Sequence, residues 1–174
     1  MAFAFRELNE DVRKLMVEEI KDAINVGSLY YSKRFNENGR EAWPGLLLQA
    51  AQDHDEVWLA GRLEGLFTMK QKEIRAKPKG GYTHADVPFT AEETLADAEF
   101  NRYYMCAICR KAIQDGTKEV TVYRAQGRGQ PRPESQALIG QTYNPAELHV
   151  EIRKKPEGKS HALVQPNSGL SIHS

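Results

Sequence analysis

No apolar run in the 174-residue sequence approaches the roughly 20 residues a membrane-spanning helix needs, because charge interrupts each one. The opening MAFAFRELNEDV carries Arg6 and lacks the longer apolar stretch of a secretory signal, which argues against export. There are only 2 cysteines, Cys106 and Cys109, too close in sequence to staple distant segments. The expected setting is therefore reducing and cytoplasmic, in a host cell or within an assembled particle. Net charge is missing too. The 24 Lys and Arg residues balance the 24 Asp and Glu residues, so bulk electrostatics favour neither nucleic acid nor an anionic membrane. Local clusters must make any such case.

The familiar signatures of chemistry are also absent. The phosphate-binding G-x-x-x-x-G-K-[ST] pattern does not occur, and no nucleophile elbow ranks the serines. The C-x-x-C of YYMCAICRK supplies two ligands where structural zinc takes four. No second pair exists, and His54, His84, His149, His161 and His173 form no H-x-H or H-x3-H spacing. Cys106 and Cys109 fall within a helical pattern beside Ala107, Ile108, Ala112 and Ile113, which reads as core packing. No catalytic residue, cofactor or metal ligand is expected.

What is present is a soluble globular composition, 40% hydrophobic and 28% charged. Val12, Leu15, Met16, Ile20, Ala23 and Ile24 recur at helical spacing, with Asn9 as N-cap and Gly27 as stop. Pro44 is placed to open a second helix, and Asp55 to cap a third that runs on toward LFTMKQKEI. Residues 75–89, with two prolines and Gly80-Gly81, read as a long loop. Thr90-Ala91-Glu92-Glu93 fits a capping box for a long helix ending near Asp115 and Gly116. KEVTVYRA alternates as a strand with Val120 and Val122 on one face. In NPAELHVEIRKK the cap signals favour a helical turn at 145–148. Alternation of Leu148, Val150 and Ile152 then favours a strand pairing with residues 119–125. The fold class is α+β and mostly helical: a helical body, a small antiparallel sheet of two or three strands in the C-terminal half, and an extended C-terminal arm. One domain covers 1–155, with the arm at 156–174.

Four stretches remain as candidate contacts. Lys70, Lys72, Arg75, Lys77 and Lys79, with Tyr82 behind the two glycines, form a basic strip that suits a phosphate backbone and a stacked base. Glu99, Arg102 and Tyr103 adjoin at helical spacing, as an ion pair among core aromatics or as the wall of a polar pocket. Glu18-Glu19 and Glu92-Glu93 read as surface pairs with no reason for shifted acidity. Arg124, Arg128 and Arg132 either pair with Glu134 and other carboxylates or meet an acidic partner. The strand end Tyr123-Arg124-Ala125 resembles the first strand of the ADP-ribosyltransferases, which implies an NAD-holding role for Arg124. The Ser-Thr-Ser strand and Q/E-x-E motif of that family do not follow it.

The arm carries Leu163, Val164, Leu170 and Ile172, enough apolar surface to fill pockets on a neighbour. These features lead to the expectation of a non-enzymatic protein-binding or assembly component, an architecture shared with viral, phage and mobile-element accessory proteins. Its partner would be another protein or a second copy, not a membrane. The alternatives are a nucleic-acid-associated protein using the strip 70–82 and a minimal NAD-handling enzyme around Arg124.

Overall fold

The computed structural model describes residues 2–127, 132–154 and 161–174. Helix α1 (Glu10–Asn25) starts where Asn9 accepts a hydrogen bond from the Val12 amide, and Gly27 ends it in the left-handed region at φ 68°. Helix α2 (Glu37–Asp53) begins well before Pro44, which lies inside it. The stronger start is Asn36, whose side chain accepts from the Gly39 amide. Helix α3 (Glu56–Gly65) is capped by Asp55, which accepts from the Trp58 amide. It stops at Gly65 instead of running on, because the chain reverses at Phe67 with φ 50°.

The segment expected as a loop at 75–89 is largely a β-hairpin. Strands β1 (Lys72–Ala76) and β2 (Tyr82–Asp86) pair antiparallel, from Lys72 opposite Asp86 to Ala76 opposite Tyr82. Pro78 sits in the turn, outside the ladder, and Gly80 and Gly81 supply positive φ values of 90° and 80°. The residues that signalled irregularity therefore make the turn between two strands.

Helix α4 (Ala91–Gln114) occupies the centre, packed by α1, α3 and, on a further side, the α6 described below. Thr90 stands at its N-cap position but makes no side-chain capping bond, so the expected capping box does not form. Its backbone, at φ −96° and ψ 12°, is not the extended cap conformation, and the Ala91 amide bonds the Pro88 carbonyl. At the other end Gly116 stops the helix as expected, at φ 72°.

Strand β3 (Val120–Arg124) buries Val120 and Val122. Helix α5 (Pro133–Leu138) and strand β4 (Thr142–Tyr143) follow, then α6 (Pro145–Arg153). The alternation at 148–152 does not signal a strand. Asn144 accepts from the Ala146 and Glu147 amides, and the helix it starts turns Leu148 and Ile152 inward and Val150 outward. The partner of β3 comes from the tail. A 3-10 turn (Ala162–Val164) leads to β5 (Leu170–His173), and the sheet order is β4-β3-β5, all antiparallel. The fold is thus α+β, mostly helical, with a small antiparallel sheet in the C-terminal half.

The tail does run extended at 170–173, but against this chain and not away from it. Leu163, Val164, Leu170 and Ile172 are all buried in the core, so the apolar groups expected to reach a partner are already covered. Asn101 in α4 donates to the Leu170 carbonyl at 2.8 Å, and Ser174 donates from its amide and hydroxyl to Glu7. Ile172→Ala should cost about 3 kcal/mol through the cavity it leaves. Ending the chain at Gly169 should abolish the cooperative thermal transition seen by circular dichroism. A truncated chain that melts at the unmodified temperature would show that β5 is dispensable.

Candidate nucleic-acid interface and neighbouring clefts

The basic strip is a ribbon that leaves the body. Beyond their own pairing, β1 and β2 pack against no helix or other strand to a comparable extent. Opposite residues of an antiparallel pair share a face. Ile74, Ala76, Tyr82 and His84 therefore line one face, with Lys72 and Asp86 at the base. Tyr82 and Ile74 are strongly exposed there. Glu73 and Arg75 occupy the opposite face, and Lys77 and Lys79 stand at the tip.

Three local contacts fix how the ribbon joins the body. Asn36 donates from Nδ2 to the Phe67 carbonyl at 2.6 Å and to the Met69 carbonyl at 3.3 Å, while its amide bonds the Thr68 carbonyl. Gly39 lies under this turn, where an added Cβ would meet the Thr68 carbonyl oxygen at 2.4 Å. Arg34 grips Glu73 through Nε at 2.5 Å and Nη2 at 3.1 Å, and Arg75 Nε reaches the same carboxylate at 2.6 Å. Hydrogen bonds from Arg34 and Arg75 hold the Glu73 carboxyl at about 2, far below its ordinary 4.5. The two acids of the ribbon are engaged, Glu73 as described and Asp86 by Lys72 at 3.0 Å.

Beside the ribbon base runs a trough of about 690 Å³ lined by Lys33, Lys70, Lys72, Ile74 and His84, among others. It shares Tyr30, Ser32 and Arg34 as lining residues with a second cleft of about 500 Å³. The second cleft lies between Ala91, Thr94, Leu95, Ala98 and Glu99 on one face of α4 and the Val164–Asn167 loop, with Arg132 at its edge. Glu99 and Arg102 are each 3% exposed and paired at 2.7 Å. Arg102 also donates to the Tyr103 hydroxyl at 3.3 Å and lies 4.9 Å from the ring centroid. Burial pushes the Glu99 carboxyl up, against the pull of Arg102. Both sequence readings of this trio hold at once: it is a buried ion pair, and Glu99 is also part of a cleft wall.

Sequence reasoning missed Glu19. The side chain is 2% exposed, not on the surface, and it joins α1 to α4 and α6. His149 Nε2 lies 3.0 Å from Oε1, Arg110 Nη1 lies 3.3 Å from Oε1, and Arg153 Nε lies 3.2 Å from Oε2. Burial alone would raise the Glu19 carboxyl, but His149, Arg153 and Arg110 outweigh it and hold the carboxyl below its ordinary 4.5. A signal was present: Glu19 falls within the apolar stripe of α1, between Met16 and Ile20. Cys106 Sγ completes a cluster of possible ligand atoms with Glu19 and His149, within 4.8 Å of one another. The chemistry of that set does not favour a cation. Two guanidiniums already neutralise the carboxylate, and burial raises the Cys106 thiol well above its ordinary range. Cys109 is pushed up to about 12 by the same burial, and neither thiol is poised for reaction.

Of the remaining candidates, Arg124 donates from Nε to the Gln126 carbonyl at 3.1 Å, and Arg132 is exposed. Arg128 lies outside the described residues. Beside α3, Phe89 is 97% exposed and shares a groove with Val57, Ala60 and Gly61 and with Glu64, Glu92, Glu93 and Asp97; Phe67, past the end of α3, is 79% exposed. Among the described residues no helix is long and apolar enough to cross a membrane. Comparison with protein-family models, with curated proteins and with solved structures finds no match.

The Glu19 cluster sets an acid limit. Its carboxyl ionises more readily in the folded state than in the unfolded chain, so the stabilisation is complete above pH 4.5 and is lost as pH falls through the folded value. Glu19→Gln should destabilise by about 3 kcal/mol near neutral pH, because it leaves cations without their carboxylate. Urea unfolding between pH 3 and 7 should show that the variant loses less stability on acidification than the unmodified chain. Equal acid slopes would remove Glu19 as the source.

Proposed function

We propose that this protein binds nucleic acid through the β1–β2 ribbon. The observation that carries the reading is the placement of the basic strip on a projecting two-stranded element with an uncovered apolar face. A lone two-stranded hairpin is marginal in water, and a partner lying along it would cover Ile74 and Tyr82. The cations choose the class of partner. Lys77 and Lys79 at the tip and Lys70 by the trough offer phosphate contacts, Lys72 and Arg75 being paired with Asp86 and Glu73, and Tyr82 offers a face on which a base stacks. Because the whole chain carries a formal charge of +0, the attraction is local to the ribbon and its trough.

Binding of a fluorescein-labelled oligonucleotide should weaken steeply with salt. Replacing Lys77 and Lys79 by Ala should flatten the slope of log K against log salt by up to about two phosphate equivalents. No detectable binding at low salt, where electrostatics are strongest, would retire the proposal.

A protein-binding role is supported by a different observation, the exposed Phe89 and Phe67 beside α3. Large aromatic side chains left this exposed suit a protein interface. The segment expected to dock into a neighbour is buried in its own core, so an assembly role rests on this patch instead. Its simplest occupant is a second copy of the chain. Phe89→Ser should then lower the sedimentation coefficient at micromolar concentration, whereas an unmodified chain that sediments as a monomer would sink this reading.

A further inference from the structure

We propose that the cleft beside the ribbon seats one unpaired base of a single strand whose backbone the ribbon holds. This inference rests on the nucleic-acid reading above and adds what kind of nucleic acid it is. The adjacency of the two spaces is the first ground. The trough under the ribbon and the cleft against α4 share Tyr30, Ser32 and Arg34, so a strand following the cations arrives at the mouth of the cleft.

The second ground is the change of chemistry from mouth to wall. Arg132 lines the cleft with positive charge, and Arg34, paired with Glu73, stands where cleft and trough meet, while the largely buried carboxyl of Glu99 lines the cleft from α4. A nucleotide has the same polarity: an anionic phosphate at one end and N–H donors on the base edge at the other. Glu99 Oε2 is taken by Arg102, and among the described residues Oε1 accepts no side-chain hydrogen bond. A carboxylate oxygen on the cleft wall accepts from an N–H donor, and the amino and imino groups of bases provide one. Tyr30 adds an aromatic lining residue, and about 500 Å³ lies within the ordinary size of a small-ligand site. In a duplex the base edges are paired and the bases stacked, so a duplex cannot use the cleft without extruding a nucleotide.

The experiment compares one fluorescein-labelled 15-residue DNA strand with the same strand in a duplex, at low salt, using the full chain. The single strand should bind at least tenfold more tightly. Arg132→Ala should weaken single-strand binding about fivefold and leave duplex binding unchanged. Glu99→Gln risks the fold, since it strips Arg102 of its partner. Thr94→Leu instead fills the cleft from an α4 position that suits a good helix former, and it should give a similar loss. If strand and duplex bind equally and Thr94→Leu changes neither, the cleft inference is overturned. The ribbon reading then stands or falls separately on the salt slope of the Lys77 and Lys79 variant. Absence of binding by either probe overturns both.

Discussion

Everything in this molecule is arranged around a helix that has almost no face left for water. Helix α4 buries residues on all sides, among them Phe100, Tyr104, Met105, Ile108 and both cysteines. Such a helix is held by apolar burial, but it also carries Asp97, Glu99, Asn101 and Arg102 into the interior. Each buried polar group must find a partner or cost free energy comparable to a lost hydrogen bond. Glu99 and Arg102 pair with each other inside α4, and the other partners come from elsewhere in the fold. Gln126 donates to Asp97, Asn101 donates to β5, Tyr104 accepts from the Glu7 amide, and Arg110 reaches Glu18 and Glu19 on α1. Apolar packing alone would let neighbouring elements slide along α4. The polar set pins each of them to one position, a role for buried polar groups that goes beyond stability.

The ribbon is governed by the opposite condition, since it has few contacts and depends on its base. Its direction is set by Asn36, which caps α2 and at the same time binds the carbonyls of the reversal at 67–69. One asparagine thus ties the start of a helix to the launch of a hairpin. The close approach at Gly39 is what permits it, because any side chain there would displace the Thr68 carbonyl. Residues on a lever of this kind are aimed by groups at its base. That separation explains why the cationic residues of the tip can be exposed and still be positioned.

Much of the helical body was legible in the sequence. The caps at Asn9 and Asp55 and the stops at Gly27 and Gly116 act locally, through bonds between residues a few positions apart. Where expectation and structure part, non-local pairing decided. Gly80 and Gly81 mark a turn, but whether a turn joins two strands depends on Lys72–Ala76 and Tyr82–Asp86 finding each other. Leu148, Val150 and Ile152 satisfy a strand period by coincidence; the cap at Asn144 is the stronger local term. Thr90 shows the converse, a correct local pattern whose backbone is turned elsewhere by the bond between Ala91 and Pro88. Of the candidate site, the cations and Tyr82 could be read directly. The cleft could not, because it gathers the 30–34 loop, α4, Arg132 and the 164–167 loop from four separate stretches. Glu19 was missed because, although its place in the apolar stripe signals burial, the His149, Arg110 and Arg153 that make its burial tolerable lie far away in sequence.

The pairing of β3 with β5 carries a consequence for biosynthesis. A ribosome releases Val120 and Val122 long before Leu170 and Ile172 exist, so the nascent chain presents half a sheet with an open edge. Closure of the ring of contacts waits longer still, for Ser174 to reach Glu7 across a separation of 167 residues. Contacts so far apart in sequence slow the final step of folding. Until Leu170–His173 is available, that edge of β3 has no partner, and an unpaired strand edge favours association with other chains.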